Sequence, residues 1–348
     1  MTFKPDDKNS DGVGVMRTKN VQEVLDLSDI IRISPAHVKR KEQYLQPGDI
    51  LISSANSWYA VGKACWVPEL DEPLAIGGFV TALRPRAGAV DARYLYRWFT
   101  SPRTQATLRS FSNKTTNISN LNLKLAAAMP VPLPTPTEQR RIAAILDHAD
   151  TLRAKRRQIL VHLDALTGSI FNDMFSGGGF KCVALKEAIK WRSGKFLPAK
   201  EQKPGAHPVY GGNGVNGSHD DYMFEEPRLV VGRVGAYCGA VHLTKPFSWV
   251  TDNALVATLL RDDLTLDYLL PALSLANLNQ YAGVSGQPSI SAGKIGDASI
   301  PVPPPELQRA FADRVAKIRI QTAVTRIAES TDSDLFASLQ SRAFRGEL

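Results

Sequence analysis

Apolar residues recur over positions 142–170 with a strict alternation of three and four. Ile142, Ile145, Ala149, Leu152, Arg156, Ile159, Leu163, Leu166 and Ile170 form the stripe, and only Arg156 interrupts it. Four heptads of this kind predict a long helix with a coiled-coil seam. Thr135-Pro136-Thr137-Glu138 gives its start, a capping box with proline at the first helical position. Gly177-Gly178-Gly179 ends it. At ~1.5 Å per residue, the helix from Ile142 to Met174 is roughly 50 Å long. A second, less regular stripe begins at Phe311, Val315 and Ile318 and slips to Ile320, Val324 and Ile327. After residues 330–334 it resumes at Leu335, Phe336, Leu339 and Ala343. The two helices are expected to pair antiparallel along this seam; the alternative is two helices packed on separate domains.

The two helices follow similar sequences. Met129-Pro130-Val131-Pro132 returns as Ile300-Pro301-Val302-Pro303, 171 positions later. Pro136-Thr137-Glu138-Gln139-Arg140 returns as Pro305-Glu306-Leu307-Gln308-Arg309, 169 positions later. The difference of two is assigned to a longer proline stretch in the first copy. Asn117-Ile118-Ser119 is matched to Ser289-Ile290-Ser291, and residues 166–171 to 339–344. Ahead of each hinge, strand patterns keep the same order: 48–53 with 228–232, 61–67 with 237–243, and 79–83 with 254–258. Short helices open at 91–96 and 266–270. The chain is thus expected to contain one unit twice: a mixed domain, a proline hinge and a long helix.

The chain has 348 residues, enough for two domains. With 43% hydrophobic and 22% charged residues it is a globular composition. Mean hydropathy is −0.16 and no apolar run approaches a membrane span. Three widely spaced cysteines, Cys65, Cys182 and Cys238, exclude a disulfide framework and a CxxC metal site. They point to a reducing cytoplasm. Net charge is +8, and the first 130 residues, with 17 basic and 12 acidic side chains, hold most of the excess. Such a balance permits nucleic-acid binding.

No catalytic constellation emerges. Residues 212–217 satisfy GxGxxG, but the polar run 218–221 continues the loop where a helix is required. Gly293-Lys294 lacks the rest of a P-loop, with Pro288 at the first glycine position and Ile295 in place of Ser/Thr. The six histidines are scattered, and there is no HExxH, no GxSxG and no paired metal-ligand set. Four loops are richer in groups that can read base edges or hold phosphates. Their candidate contacts are Ser54, Asn56, Trp58, Tyr59, Lys63, Asn113, Lys114 and Thr116 in the first half. In the second half they are Asn213, Asn216, His219, Arg233, Gln287 and Ser289. Each is equally compatible with an ordinary loop residue.

The paired halves, the hinge leading into PTEQRRIAAIL, the matching PELQRAFADRV and the ending LQSRAFRGEL resemble the specificity subunit of type I restriction–modification systems. The resemblance covers nearly the whole chain. It implies an α+β chain with two similar mixed α/β target recognition domains, separated by a pair of long antiparallel coiled-coil helices. The expected parts are a first target recognition domain at 1–130, a hinge and spacer helix at 131–179, a second domain at 180–303, and a second spacer helix at 304–348. The seam is assigned to Ile142, Ile145, Leu152, Ile159, Leu163, Leu166 and Ile170. The implied partners are double-stranded DNA, two methyltransferase subunits and, through them, restriction subunits. The chain itself is expected to hold no cofactor or metal and to catalyse nothing, S-adenosylmethionine residing in the methyltransferase. Members usually open with a further strand and turn-rich segment. The second half has it, from Val183 to Gly212, whereas the first half starts near residues 14–20, so its opening is expected to be incomplete. A relative acting only as an interaction scaffold, and an independent enzyme, are the alternative readings.

Overall fold

The computed structural model describes residues 8–86, 88–114, 118–175, 177, 179–283 and 287–348, without the side chains of residues 8–11 and 114. It divides into two units, Met1–Arg156 with Ala328–Leu348, and Arg157–Ile327. Unit one runs β1 (Lys8–Met16), β2 (Ile31–Ile33), β3 (Ile50–Ser53), β4 (Ala55–Asn56), β5 (Ala64–Trp66), β6 (Leu74–Ile76) and β7 (Val80–Leu83). It continues through α1 (Ala92–Phe99), α2 (Pro102–Ser110), β8 (Ser112–Lys114), β9 (Ser119–Leu121) and α3 (Leu123–Ala127) into α4 (Pro136–Phe175). Unit two runs β10 (Cys182–Ala184), α5 (Leu185–Ala188), β11 (Ile189–Ser193), β12 (His207–Gly211), β13 (Gly214–His219), β14 (Leu229–Gly232) and β15 (Val241–Leu243). Then follow β16 (Trp249–Val250), β17 (Ala254–Leu259), α6 (Leu266–Leu275), α7 (Ala292–Gly296), β18 (Ser299–Pro301) and α8 (Pro305–Ala343).

The units share one frame. Unit one pairs β5-β3-β7, and unit two pairs β11-β17-β14-β15. Ser53↔Val80 and Ile52↔Thr81 in the first sheet occupy the register of Gly232↔Ala254 and Val231↔Leu255 in the second. β1 runs parallel to β6 as β12 runs parallel to β16. Gly77 N–H donates to Met16 O, and Thr251 N–H donates to Tyr210 O, both at 2.8 Å. The strand at 207–211 therefore has a counterpart in β1, contrary to the expectation that the first half begins beyond it. β10, α5 and β11 have no counterpart among the described residues of unit one.

The hinge register also needs correction. Tyr94 Oη donates to Pro132 O at 2.9 Å, and Tyr268 Oη to Pro301 O at 2.7 Å. Asn122 and Ser291 cap α3 and α7. The acceptors Pro132 and Pro301, and the caps Asn122 and Ser291, each lie 169 positions apart, the same offset as Gln139 and Gln308. The match of Met129–Pro132 to Ile300–Pro303, and that of residues 117–119 to 289–291, are each out of register. Prolines at every second position let the hinges align at either spacing, and only the hydrogen bonds decide.

Gln139 and Gln308 explain why the repeat keeps a glutamine. Each is buried, at 4% and 0% exposure. Asp91 N–H donates to Gln139 Oε1 at 2.8 Å, and Gln139 Nε2 donates to Pro134 O at 2.8 Å. Thr265 N–H donates to Gln308 Oε1 at 3.1 Å, while Gln308 Nε2 donates to Pro303 O at 2.9 Å and Asp263 O at 2.6 Å. Asp91 and Thr265 are the N-caps of α1 and α6. One amide thus ties the start of each long helix to the cap of a core helix and to a hinge carbonyl.

Within unit one, Ile142 and Leu146 of α4 pack with Phe336, Leu339 and Ala343 of α8. Within unit two, Phe171 and Phe175 of α4 pack with Phe311 and Val315 of α8. Early residues of one helix meet late residues of the other in both units, so the pair is antiparallel. The assigned seam is only half correct. Ile142, Leu163 and Ile170 face inward, together with Leu146, Arg153, Leu160 and Thr167. Ile145 is half-buried, while Leu152, Ile159 and Leu166 are 43%, 45% and 41% exposed. Ile320, Val324, Ile327 and Leu335 of α8 are more exposed still. The inner face is polar in its middle: Arg156 pairs with Asp332, Arg153 donates to Ser333 Oγ at 3.3 Å, and Thr325 is buried. Arginine stems cover apolar surface while their heads pair, so inward residues read as surface ones.

In unit one α1 is locked to α4 by charge. Arg97, 5% exposed, donates to Asp147 at 2.6 Å and Asp150 at 2.9 Å, and Arg93 grips Asp147 with two bonds. Burial would raise the Asp147 carboxyl, but Arg93 and Arg97 outweigh it and hold it below the usual range.

Gln308→Leu leaves buried backbone groups unpaired at about 1–3 kcal/mol each, so urea unfolding of unit two should shift to markedly lower denaturant; an unchanged midpoint would remove the clamp's role. Ile159→Asp, by contrast, should give soluble protein whose stability changes by less than about 1 kcal/mol, whereas Phe311→Ala should cost about 3–5 kcal/mol.

Candidate nucleic-acid interface

In unit one the chain leaves β3 at Ser54 and returns through Lys63. Ser54 N–H donates to Phe79 O at 2.9 Å, and Ser54 O accepts from Leu121 N–H at 2.8 Å. β4, β9 and β8 form a small antiparallel sheet with Asn56 opposite Ser119 and Asn113 opposite Asn120. Asn113 therefore shares one face with Asn120, while Asn56 lies on the other face with Ser119. Asn56 is occupied locally: its Oδ1 accepts from Ser57 N–H at 2.8 Å and its Nδ2 donates to Ser53 Oγ at 3.0 Å. Tyr59 is 89% exposed at the tip, while Trp58 is half-buried. Lys63 Nζ donates to Gln22 Oε1. Lys114 ends β8 with its side chain undescribed, and Thr116 lies outside the described residues. Behind the turn, burial pushes the Cys65 thiol up to about 12, so it stays protonated and inert.

Unit two builds the same face with other residues. Arg233 N–H donates to Asn253 O at 2.9 Å, and Arg233 O accepts from Ile290 N–H at 2.8 Å. Val234 bridges Ser289, and Gly235 N–H donates to Pro288 O at 2.9 Å. Arg233, Gln287 and Ser289 are thereby brought together, with Tyr237 half-exposed beside them. Arg233 Nη1 donates to Ser193 Oγ at 3.3 Å. The return of the turn demands glycine in both units: Gly62 has φ +80° and Gly239 φ +87°. A Cβ on Gly239 would also sit 2.5 Å from Asn279 N.

Three residues of the second half lie elsewhere. Asn213 and Asn216 are exposed on the β12–β13 hairpin, with Asn213 lining a groove of about 580 Å³ that includes His242 and Arg319. The glycines at 212–217 serve that hairpin. His219 is corrected from contact to structural residue. It is 8% exposed, its Nδ1 accepts from Lys203 N–H at 3.1 Å, and its ring meets Trp249 edge-on at 5.3 Å. Asn120 was not foreseen, although it occupies the position of Ser289 in the matching frame. Aligning SNLNL at 119–123 with PSISA at 288–292 would have found it. Among the described residues no cluster of His, Cys, Asp or Glu could hold a metal ion, and no helix is long and apolar enough to cross a membrane.

His219→Ala should destabilise unit two by about 1–3 kcal/mol, through the orphaned Lys203 amide and lost ring contact, without altering nucleic-acid affinity of the folded protein. Weaker binding with unchanged urea unfolding would return His219 to the interface.

Comparison with known proteins gives consistent matches. The family model for the type I restriction modification DNA specificity domain matches residues 2–163 and again 178–329. The type I restriction enzyme EcoprrI specificity subunit of Escherichia coli is 32% identical over 129 residues, 36% of this chain. That stretch spans about a third (32%) of the relative's own length. The crystal structure of the type I restriction–modification S subunit from M. genitalium matches with a TM-score of 0.63 at 15% identity, over 99% of this chain and 91% of that one. A structure described as bearing on complex assembly and conformational transition of the type I R-M system matches with a TM-score of 0.57 at 15% identity, over 97% and 92%. At such identities the structural matches speak for the fold.

Proposed function

Because the chain belongs to the type I restriction modification DNA specificity domain family, we propose that it is the sequence-reading subunit of a restriction–modification complex, each unit reading one half of a bipartite DNA target. The observation that carries this is one backbone frame presenting two chemistries. At matching places unit one offers Ser54 and Asn120, and unit two offers Arg233 and Ser289. Backbone and phosphate contacts set register without sequence information, whereas amide and guanidinium side chains discriminate base edges. Two like frames with unlike side chains suit a target of two unlike halves. Lys63 and Lys114 serve as phosphate contacts in this reading.

Docking is assigned to the outward apolar rows. In unit one a groove of about 420 Å³ is lined by Ile145, Ala149, Leu152, Leu335 and Leu339. In unit two Ile159, Leu166, Ile320 and Val324 are exposed on the same helices. Exposed apolar rows of this kind mark interaction surfaces. One methyltransferase subunit would dock on each unit and carry S-adenosylmethionine, with restriction subunits joining through them. The complex would work in the cytoplasm, in keeping with three free cysteines.

The test is methylation mapping on a randomised target library by the complex with its methyltransferase. Asn120→Ala and Gln287→Ala should relax one base pair each, in different halves, by about 1–3 kcal/mol for a bidentate contact. Lys63→Ala should weaken all sites alike and reduce the salt slope by about one. If Gln287→Ala altered both halves, or both amide variants left the target unchanged, the modular reading would fail.

A further inference from the structure

A groove of about 580 Å³ in unit two belongs neither to the sheet face that carries Arg233 nor to the apolar helix rows. The β12–β13 hairpin, β15, α6 and α8 enclose it, through Tyr210, Asn213, His242, Leu270, Ser274 and Arg319 among others. Its polar groups have hydrogen-bonding capacity to spare. Tyr210, 5% exposed, accepts Lys245 N–H at its Oη at 3.0 Å, and its own proton goes to no acceptor among the described residues. His242 Nε2 is buried without a hydrogen-bond partner. Gly214, at φ +83°, passes the same ring so closely that a Cβ would stand 3.4 Å from its Nδ1 and Cε1. Arg319 is exposed and meets no carboxylate among the described residues, whereas Arg309 and Arg326 on the same helix pair with Glu306 and Asp164. No described aspartate or glutamate lines the groove.

Unit one closes the matching place with its own side chains. The registers fixed by Tyr94 with Tyr268, by Gln139 with Gln308, and by β5 with β15 put Cys65 at His242, Trp66 at Leu243, Tyr96 at Leu270, Arg97 at Pro271 and Asp150 at Arg319. There the rings of Trp66 and Tyr96 lie 5.8 Å apart, and Arg97 donates to Asp150 at 2.9 Å. The core helix carries the cation and the long helix the carboxylate. Unit two has the cation on the long helix, proline where the core helix would carry a partner, and leucines in place of the rings. Its guanidinium is left at the groove with no carboxylate of its own.

We propose that this groove receives an acidic side chain of the methyltransferase subunit docked on unit two, and so makes the two docking positions unequal. The inference rests on the docking reading above. Charge selects the occupant: a carboxylate accepts two parallel bonds from a guanidinium and a further one from a tyrosine hydroxyl, while a basic side chain is repelled. Its source follows from position. Arg319 directly precedes Ile320, which is 67% exposed and belongs to the outward apolar row of α8, so a protein covering that row also covers the groove. At the matching place in unit one Arg97 is already held by Asp147 and Asp150, and the same acidic side chain finds no free cation.

The test uses the full chain with its methyltransferase. In the Arg319→Lys variant a zero-length carbodiimide should join the new amine to an aspartate or glutamate of the methyltransferase, located by mass spectrometry. Arg319→Glu should weaken the binding of one methyltransferase about tenfold or more through like-charge repulsion. It should give a one-to-one complex where the unmodified chain gives one-to-two, with the urea transition of the free chain unchanged. Absence of the cross-link, or undiminished one-to-two assembly of Arg319→Glu, would overturn the proposal. So would intact assembly with weaker DNA binding, since the groove would then hold a phosphate. Ile320→Asp separates the two readings. If it blocks assembly on unit two while Arg319→Glu does not, only the groove loses its role; if neither variant affects assembly, the docking reading falls as well.

Discussion

At each unit's hinge one buried glutamine, Gln139 or Gln308, joins backbone groups that neither a helix nor a sheet can pair. The hinges ahead of α4 and α8 are rich in proline, and proline carries no N–H with which to build a ladder. Their carbonyls are nevertheless drawn in beside the caps of α1 and α6. A primary amide offers two donors and an acceptor, so Gln139 and Gln308 can serve a cap N–H and a hinge carbonyl together. Glutamate would lack the donors and leucine would lack both. The tyrosines Tyr94 and Tyr268, each donating to a hinge carbonyl, complete the same junction. The direction of each long helix is set there, from the domain it follows.

The helices carry two kinds of surface. Their ends pack through Ile142, Leu146 and Ala343 in one unit and Phe171, Phe175 and Phe311 in the other. Their middles meet through arginine, aspartate and threonine, while leucine and isoleucine face outward. A paired polar contact fixes partner and register, and an exposed apolar row is available for another protein. The distribution makes sense if the helices serve a complex and not merely each other.

The candidate interface separates frame from message. Ser54 and Arg233 make equivalent backbone bonds, as do Leu121 and Ile290, so either side chain can change without disturbing the sheet beneath. Glycine at 62 and 239 is the exception, because the backbone there is left-handed and, at 239, nearly touches its neighbour. Histidine 219 shows the converse: a polar residue in a promising loop whose hydrogen bond is already committed to the fold.

Much of the architecture was legible in the chain. Alternating strands, capping boxes, proline hinges and four heptads of apolar spacing are local signals, and local sterics and hydrogen bonding turn them into local structure. The duplication was legible because both copies must build the same junction. Which face of a helix turns inward is not a local property. Leu152, Ile159 and Leu166 keep the heptad as faithfully as Leu163, yet the inner face is shared with the half-buried Thr167 and with Arg153, which donates to Ser333 on the other long helix. The hinge register was ambiguous for the same reason, since prolines at alternate positions match at two spacings until Gln139, Tyr94 and Asn122 choose one. The meeting of Asn113 with Asn120 and the burial of His219 depend on contacts between distant segments. Those contacts exist only once the sheets have formed, and tertiary structure alone decided them.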